Sequence, residues 1–285
     1  MRKIPFTKMH GAGNDYIYID CFAFPLDFDP ADLARKMSPR HFSVGGDGVV
    51  LILPSEKADA MMRMFNLDGS EGKMCGNAIR CVAKYLSDHG LTNKDTIMVE
   101  TLSGIKTLRL YKEEGKVVRV SVEMGRATFR PAEIPVLFEG AEMVDEPVVV
   151  LGKEYRMTAV GMGNPHAVIF TTGVKDLDLA KMGPTFETLP IFPERVNTEF
   201  VEEIDDHTLL MRVWERGSGE TFACGTGASA TVAAAVKTGR VKSGEEITVR
   251  LLGGDLTITV GADYAVTMTG PATEVYQGAY DYDED

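Results

Sequence analysis

The sequence predicts an α+β protein in which one unit is written twice. Three observations carry this reading. The chain has 285 residues, close to two domains at roughly 150 residues each. Its hydrophobic pattern shows many short strand-like runs and few helices. Short segments also recur in the same order at nearly one spacing: Gly13-Asn14-Asp15 with Gly163-Asn164-Pro165, Arg63–Asn66 with Arg212–Glu215, and Cys75-Gly76-Asn77 with Cys224-Gly225-Thr226, the last two pairs 149 positions apart. Met124-Gly125 has an echo in Met268-Thr269-Gly270. A fixed offset of this kind marks a repeated supersecondary unit. Pro131, Pro135 and Pro147 punctuate an irregular connector, so the halves are placed at 1–130, carrying Cys75, and 131–285, carrying Cys224.

In the first half, residues 15–20, 48–53, 60–66, 96–102, 105–111 and 117–124 read as strands, the last two flanking a hairpin loop at Glu113-Glu114-Gly115. Asp29-Pro30 opens a helix over 30–37, with Asp as N-cap and Pro at the first helical position. Residues 76–88 carry apolar residues at helical spacing and stop at Gly90. The second half repeats the style. Strands are expected at 155–160, 166–171, 208–214, 246–252, 255–260 and 264–269, with a helix over 225–238 closed by Gly239 and another near 176–182.

Charge and composition exclude several classes. The 30 basic and 42 acidic residues give a net charge of −12, which is not the basic footprint of a nucleic-acid binder or a polybasic membrane anchor. Asp281, Asp283, Glu284 and Asp285 form an acidic tail at 281–285, read as a solvated end. No apolar run reaches the roughly 18 residues of a membrane span, and MRKIPFTKMHGAGND lacks the apolar core of a signal peptide. The expected location is cytoplasmic, where cysteines stay reduced.

The two matched cysteines are the chemical lead. Each follows a Gly-rich turn, DGSEGKM or RGSGETFA, and stands at the start of a predicted helix. There the unpaired N–H groups and the positive end of the helix dipole favour a thiolate. The same N–H groups can hold a carboxylate. Two such sites facing each other across a substrate carbon suit one reaction: a thiolate removes a proton and a thiol delivers one from the opposite face, inverting the centre. Cys21 and Cys81 read instead as small packing residues. A disulfide between Cys75 and Cys224 is expected only as an oxidised, inactive form.

Other polar positions keep two readings. Asn14, Asn66, Asn164 and Asn197 stand at strand ends or loops, where Asn is ordinarily a turn residue. His166 begins a strand and can equally cap a loop. Glu215-Arg216 is either a surface ion pair or a functional one, with Arg216 holding a carboxylate through its fork and Glu215 receiving an ammonium group. Zinc motifs are missing, Leu67 and Met74 break a P-loop around Gly72-Lys73, and Phe222 breaks a dinucleotide fingerprint. No lysine context identifies a pyridoxal phosphate site. The expectation is therefore no metal and no cofactor.

Together, HGAGNDYIYID (10–20), NLDGSEGKMCGNAIRC (66–81), GMGNPHAVIF (161–170), ERVNTEFV (194–201) and WERGSGETFACGTGASA (214–230) closely resemble the diaminopimelate epimerase family, along residues 3 to 275. The resemblance implies two pseudo-symmetric halves, each a mixed, mainly antiparallel barrel-like sheet around a central helix. It implies a cofactor-independent epimerase that interconverts LL- and meso-diaminopimelate on the route to lysine and peptidoglycan. It makes Cys75 and Cys224 the acid/base pair. It gives Gly76, Asn77, Gly225 and Thr226 to the reacting carboxylate, and Asn14, Asn66, Asn164, Asn197 and Arg216 to the distal amino-acid end. It gives Glu215 to an ammonium group and, with His166, to tuning the site. Some relatives carry Gln where this chain has Gly48, so no substrate contact is assigned there. A homodimer is left open. A proline-racemase-like enzyme and a non-catalytic amino-acid-binding protein are the alternatives; the distal Asn/Arg set argues against the first, because proline has no second amino-acid end.

Overall fold

The computed structural model describes residues 2–283, so Glu284 and Asp285 of the acidic tail lie outside the described residues. The elements in chain order are β1 (Arg2–Gly11), β2 (Asn14–Asp20), α1 (Pro30–Met37), β3 (Gly48–Leu53), β4 (Ala60–Asn66), β5 (Glu71–Gly72), α2 (Gly76–Asp88), β6 (Thr96–Thr101), β7 (Gly104–Glu113) and β8 (Lys116–Arg126). They continue with β9 (Glu146–Val150), β10 (Lys153–Gly161), β11 (Pro165–Phe170), α3 (Leu179–Glu187), β12 (Asn197–Asp205), β13 (Thr208–Glu215), β14 (Gly219–Glu220), α4 (Gly225–Lys237), β15 (Glu246–Leu251), β16 (Gly254–Val260), β17 (Ala265–Pro271) and β18 (Thr273–Tyr282).

The chain divides into two compact units. One holds residues up to Val122 together with those from Gly270 onward, and the other holds Glu123–Thr269. This differs from a single cut at 130/131. The last strand belongs with the first unit because β18 pairs antiparallel along β1, from Arg2↔Tyr282 to His10↔Thr273. The acidic tail is accordingly less loose than its composition suggests. Asp281 lies in β18 and pairs with Lys3 at 2.9 Å, and the Asp283 carbonyl accepts from Lys36.

Taken separately, the units share one topology. In the first, β1 pairs antiparallel with β2, β2 parallel with β3, β3 antiparallel with β4, β4 parallel with β6, and β6–β7–β8 antiparallel. In the second, β10, β11, β12, β13, β15 and β16 repeat that series, with β16 continuing antiparallel to β17. β9 flanks β10 as β18 flanks β1. Parallel neighbours need a crossover, and a helix lies in each: α1 and α2 in the first unit, α3 and α4 in the second. The repeat extends to side chains. Arg63 grips Glu71 with two hydrogen bonds at 2.7 and 3.1 Å, and Arg212 grips Glu220 at the same two distances, each tying down the turn that leads into a cysteine.

Burial follows from two-sided covering. In β3, Gly48 through Ile52 are buried, and Val49 and Leu51 pack with Leu33, Ala34 and Met37 of α1. The opposite side of the sheet faces α2, which packs against β1, β2, β6, β7 and β18. Strands from both ends of the series touch one helix, so the sheet wraps it. In the second unit α4 packs against β10, β11, β12 and β16, while α3 covers Phe200 and Ile169 with Leu179 and Phe186. A strand covered on both faces reads as an apolar run without alternation.

The helices at 30–37 and 76–88 form as expected, and that at 225–238 ends one residue earlier, at Lys237. Asp29 caps α1 by accepting from Ala31 N–H at 3.0 Å. The helix expected near 176–182 runs instead from Leu179 to Glu187, because Asp178 is its N-cap, and it carries Pro184 inside. Gly48 has no room for a side chain: a Cβ there would overlap the Phe65 carbonyl oxygen and crowd Tyr16. Gly48→Ala is expected to cost about 2 kcal/mol of stability, read as a lowered midpoint in denaturant unfolding at unchanged slope.

Candidate active site: two helix-capping thiols

Cys75 and Cys224 stand one in each unit, each as the N-cap of a helix in extended conformation. Cys75 Sγ accepts from Ala78 N–H at 3.4 Å, and Cys224 Sγ from Gly227 N–H at 3.3 Å. Ser, Thr, Asp and Asn cap helices best. Sulfur at both matched caps therefore points to chemistry rather than helix stability.

Around Cys75, the structure brings together Asn14, Gly76 and Asn77. Cys75 Sγ donates to Asn14 Oδ1 at 3.3 Å, and Asn14 Nδ2 donates to Asp47 Oδ2 at 2.6 Å. Asp47 also takes Asp15 N–H at 3.0 Å and the Arg40 guanidinium. An acidic residue thus fixes which end of the Asn14 amide meets the thiol. The Asp47 carbonyl accepts from Leu67 N–H at 3.0 Å, next to Asn66, whose Nδ2 donates to Ser70 Oγ at 3.0 Å. Asn77 is buried, with Oδ1 accepting from Arg80 at 2.9 Å.

Around Cys224, Thr226 Oγ1 lies 3.5 Å from Sγ and accepts from Asn164 Nδ2 at 3.4 Å. Asn164 Oδ1 meets His166 Nε2 at 2.9 Å, and His166 Nδ1 meets Glu199 Oε1 at 2.6 Å. His166 and Glu199 are fully buried. A Cβ on Gly227 would sit 2.7 Å from Glu199 Oε1 and 3.2 Å from Sγ, so glycine keeps the space between carboxylate and thiol open. Burial, then the Glu215 and Glu199 carboxylates, push the Cys224 thiol well above its ordinary range, against the pull of Thr226 and Gly227 N–H. Asn197 is buried and serves the backbone: Oδ1 accepts from Arg216 N–H at 2.8 Å and Nδ2 donates to the Pro165 carbonyl at 3.0 Å. The exposed Arg216 side chain reaches the Glu194 carbonyl at 2.8 Å, and Glu215 accepts from Thr221.

The remaining cysteines are inert by environment. Burial pushes Cys21 up to about 12 and Cys81 up to about 11, so both stay protonated thiols. Among the described residues, no cluster of three or more His, Cys, Asp or Glu side chains is arranged to hold a metal, and no helix is long and apolar enough to cross a membrane.

The family model for diaminopimelate epimerase matches residues 6–130 and 158–275. The chain belongs to the diaminopimelate epimerase family. It is 54% identical over 280 residues to the diaminopimelate epimerase of Acetivibrio thermocellus, covering 98% of this chain and 99% of that one. It is 52% identical over 277 residues to that of Methanococcus maripaludis, covering 97% and 99%. Among solved structures, it is similar in fold to a phenazine biosynthesis protein of the PhzF family from Bacillus anthracis (TM-score 0.73, 18% identity, 99% and 100% covered). It is likewise similar to a hydroxyproline epimerase from Agrobacterium vitis (TM-score 0.68, 19% identity, 98% and 92% covered). As a member of the diaminopimelate epimerase family, the chain is an amino-acid epimerase, an isomerase on an α+β fold.

Within that family frame, three residues around the thiols escape sequence reading: Asp47, Arg80 and Glu199. Each is a charged residue that looks like surface in a linear text. The signal for Glu199 was its place inside the buried run NTEFV, and for Arg80 its place on the apolar side of α2. Asp47→Ala releases the Asn14 amide and is expected to lower kcat/KM about 10- to 150-fold, the worth of one charge-assisted hydrogen bond of roughly 1.5–3 kcal/mol. Steady-state kinetics beside an unfolding curve separates this from a loss of fold.

Proposed function

We propose that the chain interconverts LL- and meso-diaminopimelate without a cofactor, by two-base proton transfer between Cys75 and Cys224. The observation that supports this above all is the matched pair of helix-capping thiols, in a chain more than half identical to a diaminopimelate epimerase. In one direction the Cys75 thiolate takes the α-proton and becomes a thiol, while the C–H electron pair passes into the carboxylate as an enolate-like charge. The Cys224 thiol gives its proton to the opposite face and becomes a thiolate. The reverse reaction exchanges the two roles.

The N–H groups at Gly76, Asn77, Gly225 and Thr226 receive the reacting carboxylate and the charge that develops on it. Asn14, Asn66, Asn164, Asn197 and Arg216 hold the distal amino-acid end, and Glu215 takes an ammonium group. His166 and Glu215 tune the acidity of Cys224, consistent with the hydrogen-bonded path from His166 through Asn164 and Thr226. A substrate lacking the distal end leaves these donors unpaired, which favours diaminopimelate over shorter amino acids. This reading places the chain in the cytoplasm, on the route to lysine and peptidoglycan precursors, with no nucleic acid or membrane partner.

Incubation with LL-diaminopimelate in deuterated water, with reduced thiols, is expected to yield the meso isomer carrying solvent deuterium at the α-carbon. Proline should exchange none. Cys75→Ala and Cys224→Ala should each lose about 10²–10⁴-fold in epimerisation. Diaminopimelate recovered free of deuterium, or full activity without Cys75, contradicts the reading.

A further inference from the structure

The two units repeat each other closely, so the places where they differ in buried charge are informative. Two such places lie behind the thiols. Five residues after Cys75 stands Arg80; five after Cys224 stands Ser229. Both are fully buried and both cap the same carbonyl of their helix, Arg80 Nη1 reaching Gly76 O at 3.0 Å and Ser229 Oγ reaching Gly225 O at 2.9 Å. Arg80 adds contacts to Asn77 Oδ1 at 2.9 Å and to the Pro271 carbonyl at 3.2 Å. The guanidinium therefore curls back to the first turn of α2, beside the capping thiol.

The second difference is on the neighbouring strand. The parallel pair β2–β3 sets Tyr16 opposite Gly48 and Tyr18 opposite Val50. The equivalent pair β11–β12 sets His166 opposite Asn197 and Val168 opposite Glu199. Glu199 thus stands where the first unit has the buried Val50. One unit has a buried cation and an apolar strand residue near its thiol; the other has a neutral hydroxyl and a buried carboxylate.

We propose that Arg80 and Glu199 are positioning residues that make the two thiols non-equivalent, Arg80 holding Cys75 as the resting thiolate and Glu199 holding Cys224 as the resting thiol. The proposal rests on the two-thiol reading above and assigns its resting state. The groups around Cys75 are Asn14 and Tyr18 from β2, with Asp47 behind Asn14 and ion-paired to Arg40, and Arg80 and Cys81 from α2. Burial keeps Tyr18 and Cys81 protonated and Arg40 offsets Asp47, so Arg80 supplies the cation on the helix that carries the thiol, and a nearby cation favours a thiolate. The groups around Cys224 are Glu199 from β12, Glu215 from β13, His166 from β11 through Asn164, and Thr226 from α4. Glu199 Oε1 lies 2.6 Å from His166 Nδ1 and, by the Gly227 geometry, close to Cys224 Sγ, and Glu215 adds a second carboxylate. The free protein is thereby poised for the epimer whose α-proton meets Cys75. Each turnover in that direction leaves Cys75 protonated and Cys224 ionised, and return to rest moves one proton from Cys75 to Cys224.

The test is the alkylation rate of each cysteine in the free protein across pH. Iodoacetamide is the probe, and the Cys75 and Cys224 peptides are quantified by mass spectrometry. The midpoint of each curve reports thiolate formation independently of access. The Cys75 midpoint is expected to lie below that of Cys224 by about one pH unit or more. Arg80→Met should raise the Cys75 midpoint and leave Cys224 in place, with Arg80→Lys restoring it. Glu199→Gln, nearly isosteric, should lower the Cys224 midpoint and leave Cys75 in place, and it keeps the test decisive if Arg80→Met does not fold. A merely structural role moves neither midpoint. Equal or reversed midpoints in the unaltered chain, or variants that move neither, overturn the proposal. An unaltered chain that exchanges α-deuterium yet shows equal midpoints contradicts this proposal alone; one that exchanges none contradicts the two-thiol reading itself.

Discussion

A sulfur atom placed as the N-cap of a helix is the constraint on which the rest of this structure depends. The first turn of a helix leaves backbone N–H groups without partners, and the helix dipole adds positive potential at the same point. A thiol there is held in one geometry by its bond to the N–H three residues on, and its conjugate thiolate is stabilised by the same groups. Glycine follows each thiol directly, so the backbone donors beside it stay approachable. Delivering such a cap requires the helix to start at one defined residue. The Arg63–Glu71 and Arg212–Glu220 forks set the turn before each helix, and the surrounding sheet fixes the helix axis.

The repeated frame supplies a second capping thiol, and in the proposed reading the differences between the units set the two apart. Two identical sites would share one proton without preference. Here the frame is conserved between units down to the order of parallel and antiparallel pairings, while the buried charges differ: Arg80 against Ser229, and Glu199 against Val50. Burying charge is expensive unless it is hydrogen-bonded. Arg80 meets this with two carbonyls and an amide oxygen, and Glu199 with the His166 imidazole. Among the described residues Glu199 Oε2 has no hydrogen-bond partner, a cost that a purely structural residue at this position would avoid.

The sequence made much of this legible where local chemistry decides the outcome. Asp29-Pro30 starts α1, and the Gly-rich turns before Cys75 and Cys224 start α2 and α4, because caps and breakers act within a few residues. The sequence pattern shows no strand at β1, β5, β9, β12, β14 or β18, and Pro147, read as part of an irregular connector, lies inside β9. β18, TEVYQGAYDY, shows no clean apolar alternation and is stabilised by pairing with β1 at the far end of the chain, which no local pattern reports. α3 starts later than the sequence pattern suggests because Asp178 is its N-cap, and it runs on through Pro184, which reads as a stop. In the site, the matched cysteines and their glycines were readable from the repeat itself. Asp47, Arg80 and Glu199 were not, since a charged residue signals surface until tertiary packing buries it.

The proposed mechanism divides proton transfer between two different thiols. The most direct measurement is the isotope content at early conversion, starting from LL-diaminopimelate in deuterated water. A two-base enzyme removes protium with one thiol and delivers solvent deuterium from the other. The first meso product should therefore carry deuterium, while unreacted LL substrate still holds protium. Early meso product that retains the substrate's own proton, returned by a single group acting on both faces, would contradict the account.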